Sequence, residues 1–456
     1  MPRYKSLTVR LGRVHLFVAF AFTVMADPVS SVAYAIEAAQ RALDGDPASL
    51  VATMGLVVGI VVVVAITYHQ LIGRFPEGGG GPEAVARAFG EGWAFLPLGA
   101  LLVDFTLTVA ISCAAAAAAL VAYAPEISAA RLPIALAIAI MVAFGVLAGH
   151  RGRVAFALAV QAFLLVAAVV VIAGLFADPA GAQAGAEAGG GPLLADASLA
   201  AVLVALPLGM ALATGIEAPS NAIAELPQLG DRGRRLFGRA TLWSMVAIVG
   251  ALTLCLSALA VRLEVGPPDG EGTLLSELAR TAVGEGFVFA AFQLFSALLL
   301  FAAAASSFLA GSGVLKALSG VGLDGTAGLL PEPLHRENRF LVSHWGVFVV
   351  LALAVGMIVA AGGDEQVLVR FYAVSVFASF LAATLACARL TLRDGQRAAA
   401  LGNLLGAGLV SLVLVLNLTR LDSAIALLAS AAIAAYLWRA WVARGRPRGV
   451  GRASAT

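Results

Sequence analysis

The chain has 456 residues, 61% of them hydrophobic and only 12% charged. That is more apolar surface than one soluble core can bury, so the composition excludes a soluble enzyme or binding module and makes the lipid bilayer the solvent. The net charge of +2, from 29 basic and 27 acidic residues dispersed among short connections, excludes a nucleic-acid-binding surface.

In chain order, residues 1–13 form a basic N-terminal segment carrying Arg3, Lys5, Arg10 and Arg13. The apolar run that starts at Val14 passes through Asp27 and Pro28 and ends near Leu43, which reads as a retained, interrupted transmembrane helix rather than a cleaved leader. Further spans are predicted near 48–72, 93–123, 132–149, 153–176, 198–225, 236–263, 286–317, 341–362, 366–390, 399–418 and 421–443, each of roughly the twenty apolar residues that cross a bilayer. Twelve spans place both termini on one side. Of the 29 Lys and Arg, 23 fall on that side and six on the other, so the positive-inside rule predicts a multi-pass protein with both termini cytoplasmic. The run Gly78-Gly79-Gly80-Gly81 lacks the GK[ST] of a phosphate loop and reads as a turn or hinge between spans 2 and 3. The Gly- and Ala-rich stretch Gly181–Pro192 is expected as a flexible outer loop, and residues 444–456 as a short basic cytoplasmic tail. Cys113, Cys255 and Cys387 lie inside apolar runs with no CxxC spacing and are expected to be packing residues.

Helix interruptions at membrane depth are tolerated only where protein or a polar cavity satisfies the freed backbone. Two occur: Met25-Ala26-Asp27-Pro28-Val29-Ser30-Ser31 in span 1 and Ala213-Thr214-Gly215-Ile216-Glu217-Ala218-Pro219-Ser220-Asn221 in span 6. They lie five spans apart, an odd number, so the second set of five would insert upside down relative to the first, as in inverted-repeat carriers. The expected organisation is a transporter core over 14–390, with repeats at about 14–176 and 198–390, and peripheral spans over 399–443.

Asp27, Glu37, Asp104 and Glu217 lie well inside predicted spans. A central Asp costs roughly 2.5 to 3.5 kcal/mol on insertion scales, and no Lys or Arg occupies the central parts of these spans. Protonation, hydroxyl hydrogen bonds or a bound cation must offset that cost. Asp104, Thr108 and Ser112 recur every fourth residue and share one helix face; Asp27 and Tyr34 are seven apart, two turns along one side. These sets offer only oxygen, which suits an alkali or alkaline-earth cation. Either hydroxyl on the Asp104 face has an alternative bond to its own helix carbonyl. Glu217 has the alternative of compensating the restarting half-helix, and Glu37 is expected near enough to the outer surface to reach water. The five histidines form no metal spacing, and no nucleophile–base pair recurs, so no enzymatic activity and no cofactor are expected.

The segments ADPVSSVAYAIEAA, RFPEGGGGPEAVARAFG, LLVDFTLTVAIS, LATGIEAPSN, AAAASSF and FYAVSVF, in this order over nearly the whole chain, resemble the APC superfamily, and within it the bacterial KUP-like potassium:proton symporters of the KimA type. The resemblance implies an all-α membrane fold with a LeuT-like core of ten helices in a 5+5 inverted repeat, helices 1 and 6 discontinuous, plus two peripheral helices, set in a bacterial plasma (inner) membrane. It implies potassium held by residues matching Asp27, Tyr34, Asp104, Thr108, Ser112, Thr214 and Tyr372. Phe105 stands where the subgroup usually has Tyr, the stretch LAGSGVLKAL after Phe308 lacks the acidic and Pro-Arg features usual at the inner end of span 8, and the subgroup's long cytoplasmic C-terminal region has no counterpart here, so regulation by a nucleotide bound there is not expected.

The function read from these residues is secondary transport of a small solute, with inward potassium:proton symport ahead of a proton-coupled amino-acid or amine permease. The proton is the coupling ion, and Asp27, Asp104 and Glu217 are its candidate carriers. A homodimer is left open. The first interruption separates the two solutes: span 1 contains no glycine and an acid occupies the place where an amino-acid carboxylate would meet helix N-termini.

Overall fold

The computed structural model describes residues 2–43, 48–149, 153–178, 197–226, 228–268, 272–320 and 328–454, and these are helical apart from turns and one isolated bridge, Glu337 to Ser343. The Gly181–Pro192 stretch lies outside the described residues. Among them, eleven helices are long and apolar enough to cross a membrane. The first span comprises α1 (Pro2–Val24) and α2 (Ala26–Ala42), and the second is α3 (Ala48–Arg74). After a short helix α4 (Gly80–Phe89) come α5 (Phe95–Tyr123), α6 (Arg131–Leu147) and α7 (Arg153–Gly174). The sixth span combines α8 (Leu199–Gly209) and α9 (Ala218–Ala222), and α10 (Asp231–Arg262) follows. After a second short helix, α11 (Leu274–Val283), come α12 (Phe287–Ser319), α13 (His344–Ala360), α14 (Glu365–Arg393), α15 (Arg397–Leu418) and α16 (Leu421–Ala443).

The expected ninth span is the one that falls short. α13 has 17 residues, which at 1.5 Å per residue is about 26 Å against a hydrocarbon core of about 30 Å. Its ends are set chemically: Ser343 Oγ accepts from Gly346 N at 3.1 Å, and Gly362 and Gly363, at φ 65° and 81°, stop the helix in a conformation that costs glycine little.

Helix α5 is buried along nearly its whole length. Its most extensive partner is α12, and the two bring buried alanine runs, Ala114–Ala119 and Ala302–Ala305, into the interior. In lipid, helices associate through close packing and polar bonds rather than hydrophobic expulsion, so small residues are what let two such backbones approach. Helices α6, α7, α15 and α16 are buried over only 28–33% of their apolar windows and form the rim.

The first interruption is narrower than the sequence suggests. Only Met25 leaves regular helix, and even there Met25 N donates to Ala21 O at 2.8 Å and Val29 N to Met25 O at 3.0 Å. Pro28 falls in the first turn of α2, where its missing N–H leaves no helix bond unmade. The second interruption is wider: a 3-10 turn over Met210–Ala213, Thr214 at ψ 140°, Gly215 at φ 71°, then the five residues of α9. The glycine run is the expected turn, with Gly78, Gly79 and Gly80 all at positive φ. It leads into α4, whose buried face packs against α14.

The basic tail does not project freely. Glu91 accepts from Gly449 N at 2.9 Å and Val450 N at 3.0 Å, Arg452 lies 3.6 Å from Glu77 and 3.8 Å from Glu83, and Ser454 Oγ donates to Gly79 O at 3.1 Å. Of the cysteines, Cys113 and Cys387 are buried as expected, whereas Cys255 is exposed. It sits on the outward face of α10, where the apolar run meets lipid rather than protein.

Candidate functional site

The two interruptions meet at the center of the fold. A Cβ on Gly215 would stand 2.8 Å from Pro28 Cδ and 3.2 Å from Asp27 Oδ2, so glycine is what permits the backbone of the second break to approach the start of α2. Around this contact lie the buried side chains Asp27, Ser31 and Tyr34 of α2, Asp104, Thr108 and Ser112 of α5, Thr214 and Glu217 of the second break, and Tyr372 of α14.

The hydrogen bonds divide these groups into committed and uncommitted oxygens. Ser31 Oγ and Tyr34 OH are 2.9 Å apart, and Thr214 lies close to Tyr34. Thr214 donates to Ala211 O at 2.6 Å. Thr108 Oγ1 donates to Tyr372 OH at 3.3 Å, and Asp104 lies close to Tyr372. Thr108 thus bonds across the interface, in contrast to Thr106, which donates to Leu102 O of its own helix at 2.8 Å. Ser112 Oγ, Asp27 Oδ1, Asp104 Oδ1 and Glu217 Oε2 are buried without a hydrogen-bond partner among the described residues.

The three acids are near enough to feel one another's charge, and no basic side chain pairs with them among the described residues. Glu217 stands at the N-cap of α9 and makes no side-chain cap bond. Among the described residues no three His, Cys, Asp or Glu converge tightly enough to hold a metal ion by themselves. A cation held here would therefore draw on hydroxyl and backbone oxygens as well as carboxylates.

From the acids a cavity of ≈ 480 Å³ runs toward the end of the bundle that carries the C-terminal segment, lined by Asp27, Phe105, Glu217, Asn221, Lys316 and Ser454 among others. The opposite end is sealed by charge. Glu37, expected to reach water, is 1% exposed and accepts from Arg41 Nε at 2.9 Å and Leu274 N at 2.8 Å. The α11 helix and its entry, invisible to hydropathy, fold over it and exclude solvent. Nearby, Glu365 at the start of α14 is ion-paired with Arg131.

Two polar groups at the site were not singled out from sequence. Ser31 lay within the first interruption, and its signal was only proximity to Tyr34, one turn away. Tyr68 of α3 is buried near Glu217 and Asp104, and its hydroxyl has no hydrogen-bond partner among the described residues. A phenol deep in a long apolar span was its one signal.

The family model described as amino acid permease matches residues 16–437. The chain belongs to this amino acid permease family. It is also 29% identical over 363 residues to the potassium transporter KimA of Bacillus subtilis (strain 168), a match covering 78% of this chain and 58% of that protein. The chain thus spans less than two thirds of the length of that curated relative. As a member of the permease family, with eleven helices long and apolar enough to cross a membrane among the described residues, it is a multi-pass membrane protein, and the geometry above describes its polar center.

Proposed function

We propose that this permease is a secondary active transporter that moves a monovalent cation, potassium, inward together with a proton by alternating access. The observation that carries this reading is the pair Asp27 and Asp104, buried at 7% and 1% exposure, each with an uncommitted oxygen and no basic partner among the described residues. Two carboxylates left so in lipid cost about 5 to 7 kcal/mol, and a dehydrated cation among Tyr34, Thr108, Ser112, Thr214 and Tyr372 offsets that cost. That the relative KimA is a potassium transporter supports the same choice.

Transport follows from a 5+5 inverted repeat in which spans 1 and 6, both interrupted, frame the site while one repeat rocks against the other. The cavity on the terminal side and the charged seal opposite correspond to an inward-facing state, with both termini cytoplasmic in a bacterial inner membrane. Moving a cation and a proton inward together gains roughly 4.6 kcal/mol per 100 mV. Glu217, uncommitted and beside the cavity, is the proton carrier that can exchange with the cytoplasm, with Asp27 and Asp104 the alternatives nearer the cation.

A second reading, a proton-coupled amino-acid or amine permease, is favoured by the family's description and by the cavity volume, which exceeds the needs of a bare cation. The two separate in proteoliposomes. Radiolabelled rubidium uptake is expected to saturate, to be inhibited by potassium and not by amino acids or amines, and to accelerate with an acidic exterior. Glu217→Gln is expected to keep rubidium uptake but lose that acceleration. Uptake of an amino acid or amine without rubidium flux reverses the ranking.

A further inference from the structure

On the side of the site away from the termini lies a small cavity of ≈ 20 Å³, lined by Ala33, Ala115, Gln293, Ser296 and Glu365 among others. It has room for about one water or one dehydrated ion. Small side chains from α2 and α5 make the space, and polar ones from α12 and α14 furnish it.

Its position follows from helix periodicity. Ala115 and Ala119, both on its wall, are three and seven residues beyond Ser112, on the face that carries Asp104 and Thr108. Glu365 is seven residues before Tyr372 on α14, two turns along one face, and Ala33 adjoins Tyr34. The cavity therefore continues the line of oxygens that begins at Asp104.

Its chemistry is that of a ligand site. Ser296 is 6% exposed, and its Oγ has no hydrogen-bond partner among the described residues. Gln293, 2% exposed, donates its amide to Ser276 Oγ at 2.7 Å, and Ser276 and Thr273 hydroxyls are 2.6 Å apart, so a hydrogen-bonded chain holds it in place. Glu365, 2% exposed, is held by Arg131, whose guanidinium also lies 3.7 Å from Asp364. Arg131 has a second acid to turn to when Glu365 is released.

We propose that this cavity is an outer transit site for a monovalent cation, in which Glu365 exchanges Arg131 for the incoming ion while Ser296 and Gln293 supply neutral oxygens. The proposal rests on the cation-transport reading above. In that reading the Glu365–Arg131 pair seals the outer side when the inner cavity is open, and the ion breaks the pair as it enters.

The test uses right-side-out membrane vesicles containing the full chain, with rubidium influx and rubidium efflux measured separately. Ser296→Val fills the cavity without touching the ion pair. It is expected to raise the influx KM about tenfold or more while leaving the half-saturating concentration for efflux within about twofold. Glu365→Gln is expected to shift the influx KM in the same direction, and Glu365→Asp to restore it in part. Ser296→Ala, which removes only the hydroxyl, gives a smaller rise and serves where Ser296→Val does not fold. An influx KM unchanged in the Ser296 and Glu365 variants means that the cavity holds a water only and overturns the proposal. So does an equal change at both faces, which marks a general packing defect. Wild-type vesicles that move no rubidium overturn the functional reading itself, and the transit site with it.

Discussion

Asp27→Asn and Asp104→Asn are each expected to lower rubidium uptake by at least about 100-fold, a loss of about 2.7 kcal/mol in transition-state terms, with no loss of thermal stability. Both halves of this expectation come from the same fact. Each carboxylate is buried with an oxygen that has no hydrogen-bond partner among the described residues, so it contributes little to holding the apo protein together and is available to a ligand. Asparagine keeps the shape and removes the negative charge that offsets cation dehydration. A structural acid behaves in the opposite way, since neutralising one partner of a buried ion pair leaves an uncompensated charge and costs about 3–5 kcal/mol. Glu365, paired with Arg131, provides a milder contrast within the same molecule, since Asp364, 3.7 Å from Arg131, takes up part of the released charge. Uptake by proteoliposomes and melting of the purified variants check the prediction together. Variants that transport normally, or that melt far below wild type, remove Asp27 and Asp104 from the cation site.

Gly215→Ala is expected to destabilise the protein by about 1–3 kcal/mol and to suppress transport even where the protein still folds. Gly215 has φ 71°, and an added Cβ would stand 2.8 Å from both Pro28 Cδ and Cγ. The proline ring is rigid and buried, so it cannot yield as a long side chain would. The two breaks must separate, and Thr214, adjacent to Gly215, moves with them. Gly356, whose Cβ would meet nothing within 4 Å, is the control: Gly356→Ala on helix α13 is expected to be neutral or slightly stabilising. Equal melting temperatures for the two variants contradict this account of the contact.

The spans were legible because bilayer thickness imposes a length and a composition on each: the last is predicted at 421–443 and found at Leu421–Ala443. Helices α4 and α11 were not, because ten-residue amphipathic helices in connections leave no hydropathy signal. Both breaks were found in the right segments, but the first was overread because Pro28 falls in the first turn of α2, where it disturbs little. Asp27 and Asp104 stood out by their cost in lipid, and Thr108 and Ser112 by their spacing from Asp104. Tyr372 came only through resemblance, since its partner Thr108 is 264 residues away and no local period links them. The sealing of Glu37 and the pairing of Glu365 with Arg131 were illegible for the same reason: each depends on a contact made by a distant connection.

The central claim, that the Asp27–Asp104 center is a cation site, is tested most directly by equilibrium binding of rubidium to the purified protein. Saturable binding that potassium displaces, and that disappears in Asp27→Asn and Asp104→Asn, is the predicted result. Saturable binding of an amino acid or amine at the same center, with no rubidium bound, would contradict it.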